Sequence, residues 1–169
     1  MTAVSSKTAA KSRYSGAFFL TGGVAFAAVA LLLEPVARRE LADGRVVDLG
    51  PLQLKLAYNS GVAFSFGDQL PLWVLLSITA VITAGIGVYG WRTASFSAPV
   101  TVLGFSLIFA GAAANVVDRM IDGKVTDYFH TGWWPTFNLA DTFLTCGIVL
   151  LLVAHLWDFI RESTPENMS

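Results

Sequence analysis

The chain has 169 residues, of which 54% are hydrophobic and only 14% charged. A water-soluble domain carries about a quarter charged residues, so lipid rather than water is the expected main solvent. The formal net charge of -1 gives no sign of a nucleic-acid partner, and a single cysteine, Cys146, rules out an internal disulfide and a four-cysteine zinc site.

Residues 1–13 are polar and small and are expected to be disordered, with Lys7, Lys11 and Arg13 ahead of the first apolar run at about 14–33. A cleavable signal peptide is the competing explanation for this run. Its apolar core would span only about 7–15 residues and end in a small-x-small cleavage site, whereas this run is longer and ends in "LLLEP". Three more apolar runs follow at about 70–91, 98–117 and 139–160. Each run has about the 20 residues that a helix needs to cross a hydrocarbon core of roughly 30 Å. The expected fold class is mainly α, a four-transmembrane-helix bundle forming one membrane-embedded domain over 14–161, with a polar tail at 162–169. Cys146 lies in the fourth run, where a thiol is expected to pack as a small apolar group rather than act as a nucleophile.

Residues 34–69 form the sizeable connection after the first helix. In "LQLKLAYN", Leu52, Leu54, Leu56 and Tyr58 alternate with Gln53, Lys55, Ala57 and Asn59. A period of two predicts a strand with one apolar face. "NSG" then reads as a turn and "VAFSF" as a short returning strand, together a small extramembrane β-sheet at the membrane surface. A short link holding Arg92 joins the second and third helices. With four spans, both termini share one face. Basic residues divide five against six between the two faces, so the positive-inside rule does not orient the chain.

The third and fourth helices are joined by "NVVDRMIDGKVTDYFHTGWWPTFNLAD", residues 115–141, which gathers Asp118, Asp122, Asp127 and Asp141. Asn115, Asp118 and Arg119 share a face at the end of the third helix. Beyond Gly123, Val125, Asp127 and Phe129 alternate as a short strand. Asn138 is placed to cap the fourth helix, and Asp141 falls in its first turn, where the helix dipole favours a carboxylate. Asp127 and Asp141 are thus able to face each other from two ends of one segment. Such a pair shares a proton, leaving one carboxylate to take a proton from water and one acid to polarise a carbonyl. The plainer assignments are a helix-end polar pair for Asp118 and Arg119, a solvated turn for Asp122, and an interfacial aromatic belt for "GWWP". His130 and His155 lack a second ligand at helical spacing, so no metal site is expected. At this level an aspartic protease and a proton-coupled transporter, which also uses paired aspartates, stand level.

Three segments, "YNSGVAFSF" (58–66), "NVVDRMIDGKVTDYF" (115–129) and "WPTFNLAD" (134–141), jointly resemble the lipoprotein signal peptidases, or signal peptidase II. The resemblance implies an integral membrane aspartic endopeptidase that cleaves prolipoproteins just before a diacylglyceryl-modified cysteine. It implies Asp127 and Asp141 as the catalytic pair, with Asn59, Asn115, Asp118, Arg119 and Asn138 as supporting or substrate-binding residues. No cofactor, metal or nucleic acid is implied; the partners are lipidated prolipoproteins and membrane lipid, and the enzyme is expected to be a monomer. The family also implies the cytoplasmic (inner) membrane of a bacterium, with both termini cytoplasmic and the active site near the outer surface.

The chain departs from the family pattern in two places. Where D-Q-x-x-K usually ends the first helix, this sequence has "EPVAR", so Glu34 and Arg38 keep the charges and Pro35 replaces the glutamine. Where G-G-A-x-G-N usually approaches the asparagine, it has "AGAAAN", whose alanines are expected to narrow the space there. A transporter would more often show internal repeats and mid-span charges, while the aspartates here sit at span ends. A catalytically inactive relative serving as a scaffold is the remaining alternative.

Overall fold

A computed structural model describes residues 14–60 and 71–163. Its helices are α1 (Tyr14–Glu40), α2 (Leu72–Ala94), α3 (Pro99–Asp122) and α4 (Leu139–Ser163). All four are long and apolar enough to cross a membrane. Large apolar side chains on their outer faces, such as Val81, Leu152 and Trp157, are exposed. That is the arrangement expected where lipid is the solvent.

α3 is the central helix and packs against the other three. In lipid no hydrophobic force drives helices together, so close packing of small residues does that work. A Cβ on Gly111 would lie 2.2 Å from the Ala140 carbonyl oxygen, and one on Gly147 would lie 2.6 Å from the Gly104 carbonyl oxygen. The α3 and α4 backbones therefore touch. Ala30, Ala114 and Ala140 form a buried cluster joining α1, α3 and α4 beside the start of α4. The Ala114 methyl in "AGAAAN" thus lies within this interhelical contact.

Two helices outrun their apolar stretches. α3 continues to Asp122 and stops at Gly123, which takes a φ of 81°, a left-handed conformation that glycine adopts without penalty. α1 continues through Pro35 to Glu40. Pro35 has no N–H to offer the preceding turn, but the last turns are held from outside. Ala37 and the adjoining Leu41 pack on Tyr128, and Arg38 forms ion pairs with α3.

A 3₁₀ turn at Ala42–Gly44 leads from α1 into a three-stranded antiparallel sheet of order β1-β2-β3. β1 is Val46–Asp48, β2 is Gln53–Asn59 and β3 is Val125–His130. The alternating "LQLKLAYN" segment supplies β2, as its period predicts. The returning strand expected at "VAFSF", residues 1–13 and the end of the tail lie outside the described residues. Among the described residues, the neighbours of β2 are β1 and β3. Ala57 is paired with Asp127 and Asn59 with Val125. The sheet thereby ties the α1–α2 connection to the α3–α4 connection.

Candidate active site

The α4 N-terminus is closed by reciprocal side-chain bonds. The Asp141 N–H donates to Asn138 Oδ1 at 2.9 Å, and the Asn138 N–H donates back to Asp141 Oδ2 at 3.2 Å. This is the geometry of a capping box, which satisfies two otherwise orphan donors. A third donor, the Leu139 N–H, meets the Tyr128 hydroxyl oxygen at 3.1 Å. An asparagine followed three residues later by an aspartate therefore fixes the first turn of α4, as its sequence spacing predicts.

The same Asn138 reaches the second carboxyl group. Its Nδ2 donates to Asp127 Oδ1 at 3.1 Å and to Asn115 Oδ1 at 3.1 Å. Asn115 Nδ2 in turn donates to Asp141 Oδ1 at 2.7 Å. Asn59, at the end of β2, adds a side-chain hydrogen bond to Asp127. The groups from α3, β2, β3 and α4 that the sequence marks are thus brought together in one network. Asp127 is buried, while Asp141 is half-buried and borders a cavity of about 340 Å³. Burial, and then the Asp141 charge, push the Asp127 carboxyl from 3.8 up to about 7, against the pull of hydrogen bonds from Asn59 and Asn138. Its neighbour Tyr128 is pushed up to about 12, chiefly by burial.

Asp118 and Asp122 differ from their expected roles. Asp118 does not pair with Arg119. Its Oδ1 accepts from Arg38 Nη2 at 2.7 Å, and its Oδ2 accepts the Thr126 N–H at 2.6 Å. Asp122 is not a free turn residue, because Arg38 Nη1 donates to it. One guanidinium therefore forks across two carboxylates on successive turns of α3. Glu34, buried one turn earlier on α1, hydrogen-bonds Asp118 as well. Glu34 and Arg38 thus support β3 one residue before Asp127. Their i, i+4 spacing was the signal in the sequence, but only the tertiary structure names Asp118 as their target. Arg119 is buried, its Nε has no hydrogen-bond partner, and it interacts electrostatically with Asp118, Asp127 and Asp141.

The cavity beside Asp141 runs from Trp134 and Phe137 along Thr142, Thr145 and Cys146 on one face of α4. Cys146 is exposed rather than packed inside the bundle, because its face of α4 forms the cleft wall. No cluster of three or more metal-ligating side chains occurs among the described residues.

The family model for signal peptidase II matches residues 16–157. A lipoprotein signal peptidase of Syntrophomonas wolfei is 38% identical over 120 residues, covering 71% of this chain and 78% of that protein. Another, from Rhodococcus jostii, is 34% identical over 158 residues, covering 89% of this chain and 77% of the relative. A solved structure described as a bacterial membrane enzyme matches with a TM-score of 0.69 at 26% identity, covering 89% of this chain and 96% of its own. Fold and site together define a multi-pass bacterial membrane enzyme whose polar groups gather at helix ends. The chain belongs to the signal peptidase II family, the peptidases that remove signal peptides from prolipoproteins.

Two outcomes follow for stability. Lysine is a compact point charge without the planar fork whose two separate nitrogens meet the two carboxylates here, so Arg38→Lys should lower the unfolding midpoint in detergent by about 2–6 °C. An unchanged midpoint would show that the fork does not hold α1 to α3. The second concerns Asp127, whose carboxyl lies near 3.8 when unfolded and about 7 when folded. Between those values the folded chain keeps a proton that the unfolded chain has lost, so stability falls as pH rises through this window. Asp127→Asn should therefore unfold at a higher temperature than the parent at about pH 8, with the gap closing towards about pH 4. A gap that widens on acidification would contradict the assignment.

Proposed function

We propose that this protein is an aspartic peptidase that cuts prolipoproteins immediately before a diacylglyceryl-modified cysteine, with Asp127 and Asp141 as its catalytic pair. One observation carries the proposal: Asn138 hydrogen-bonds both carboxyl groups at the edge of an apolar cleft. Asp141 accepts two N–H bonds, stands in the first turn of a helix and serves as the ionised base. Asp127, buried and pushed up to about 7, serves as the acid.

In this mechanism Asp141 takes a proton from water as the water oxygen attacks the scissile carbonyl carbon. Asp127 gives its proton to the carbonyl oxygen. As the tetrahedral intermediate collapses, the C–N bond breaks and Asp141 delivers its proton to the leaving amine, while Asp127 recovers a proton from the hydroxyl. Asn115 and Asn138 hold the carboxyl groups in place. Arg119 opposes the negative charge of the pair, and Asn59 assists in holding the substrate backbone. The cleft along Thr142, Thr145 and Cys146 is apolar and begins at Asp141, which suits a substrate whose cysteine carries acyl chains. The enzyme works as a monomer in the cytoplasmic membrane, with both termini inside and the site near the outer surface.

Purified protein should cut a diacylglyceryl-cysteine peptide before its cysteine and leave the unlipidated peptide almost intact. Asp127→Asn and Asp141→Asn should each lower the rate per folded molecule by at least about 10²–10⁴-fold. Substantial cleavage by either variant would sink the aspartic mechanism, and equal cutting of both peptides would remove the requirement for lipid. For orientation, Asp43→Cys in a Cys146→Ser background should be labelled in intact cells by an impermeant maleimide. Labelling only after the membrane is broken would reverse the proposed topology.

A further inference from the structure

A second cavity, of about 380 Å³, lies between the end of α1 and the sheet, where Tyr128 rather than the Asp127–Asp141 pair forms its floor. Leu33 and Val36 form its α1 wall, and Leu54 and Phe129 its sheet wall. Its lining is apolar apart from two opposite charges, Glu40 and Arg45, both exposed. Leu33, Val36 and Glu40 fall at the end of the membrane-crossing stretch Gly16–Glu40. The cavity therefore opens where acyl chains meet headgroups.

We infer that this cavity holds one membrane phospholipid of the zwitterionic ethanolamine class. An acyl chain fills the space between Leu33, Val36, Leu54 and Phe129. The lipid phosphate meets Arg45, for which no ion pair is found among the described residues, and its ammonium meets Glu40. The contact that Glu40 makes with Arg39, at 3.8 Å and with both side chains well exposed, is of the weak surface kind and yields readily. Headgroup choice follows from the charges. An anionic glycerol headgroup would satisfy Arg45 but offer Glu40 only neutral hydroxyl donors, which bind a carboxylate less strongly than a cation does. A choline headgroup brings a bulky quaternary cation that cannot hydrogen-bond a carboxylate. A primary ammonium does so with up to three donors.

The inference stands apart from the proposed chemistry, since lipid retention is measurable in protein with no substrate and equally in Asp141→Asn. Wild-type protein would be mixed in detergent with equal amounts of phosphatidylethanolamine, phosphatidylglycerol and phosphatidylcholine, then examined by native mass spectrometry. One phosphatidylethanolamine should be retained in preference to the other two. Arg45→Gln should weaken retention of phosphatidylethanolamine and phosphatidylglycerol alike, by about fivefold. Glu40→Gln should remove the preference for phosphatidylethanolamine over phosphatidylglycerol. Val36→Trp, on an exposed face of α1 that tolerates a large side chain, should abolish retention by filling the cavity. Equal retention of the three lipids, insensitive to both charge substitutions, would overturn the headgroup assignment. Full retention by Val36→Trp would show that the lipid binds elsewhere. Displacement of the phospholipid by a diacylglyceryl peptide at matched concentration would assign the cavity to substrate and overturn the inference.

Discussion

The arrangement depends on a single amide side chain. Asn138 uses its carbonyl to cap α4 and its amino group to hold Asp127 and Asn115, while its own backbone N–H binds Asp141. It couples the polarity of a helix end to the separation of two carboxyl groups. Neither carboxyl could be moved without breaking a bond to this residue. Burying Asp127 beside Asp141 is unfavourable on electrostatic grounds, and the network of amide donors offsets part of that penalty without adding a competing positive charge. Asparagine suits the position because it offers a donor and an acceptor at once, which neither aspartate nor leucine would.

Around this centre the protein combines two kinds of adhesion. Inside the bilayer, glycine and alanine contacts bring α3 and α4 backbones together and leave the large apolar side chains to lipid. At the membrane edge, charge takes over. Arg38 spans Asp118 and Asp122, Asp118 holds the Thr126 N–H, and Lys124 lies 3.7 Å above the Tyr58 ring centroid. These contacts fix β3 to α1, α3 and β2 together. The proposed acid is consequently carried by a strand restrained on several sides, although that strand lies between two helices in sequence.

Much of this could be read from the chain. The four apolar runs, the period of two in "LQLKLAYN", and the N-x-x-D spacing at Asn138 each reflect a local rule, and each appears in the structure. Spacing alone already let Asp127 and Asp141 face each other, and motif resemblance added the expectation of a peptidase role where local rules left a protease and a transporter level. The failures were tertiary. Nothing in the order of residues says that Asp118 should form its hydrogen-bonded ion pair with Arg38 on another helix rather than with the adjacent Arg119. Side chains at i and i+1 diverge on a helix, and the interhelical distance decides the rest. Hydropathy likewise ended α1 at Leu33, because polar residues and a proline follow. The helix continues because the sheet and α3 grip its last turns.

The backbone contacts at Gly111 and Gly147 have a mechanical consequence. Lipid bilayers differ in thickness, and a membrane helix that is too long or too short responds by tilting or by shifting along its neighbours. Asp127 lies on β3, which follows α3 after a short turn, and Asp141 stands in the first turn of α4, so sliding of one helix along the other would alter the spacing between the two carboxyl groups. With carbonyl oxygens of α3 and α4 set against glycines of the facing helix, the pair is keyed together and sliding is obstructed. A change in bilayer thickness is then absorbed by rotation of the pair as one body, and the distance between the two acids is insulated from the membrane that surrounds them.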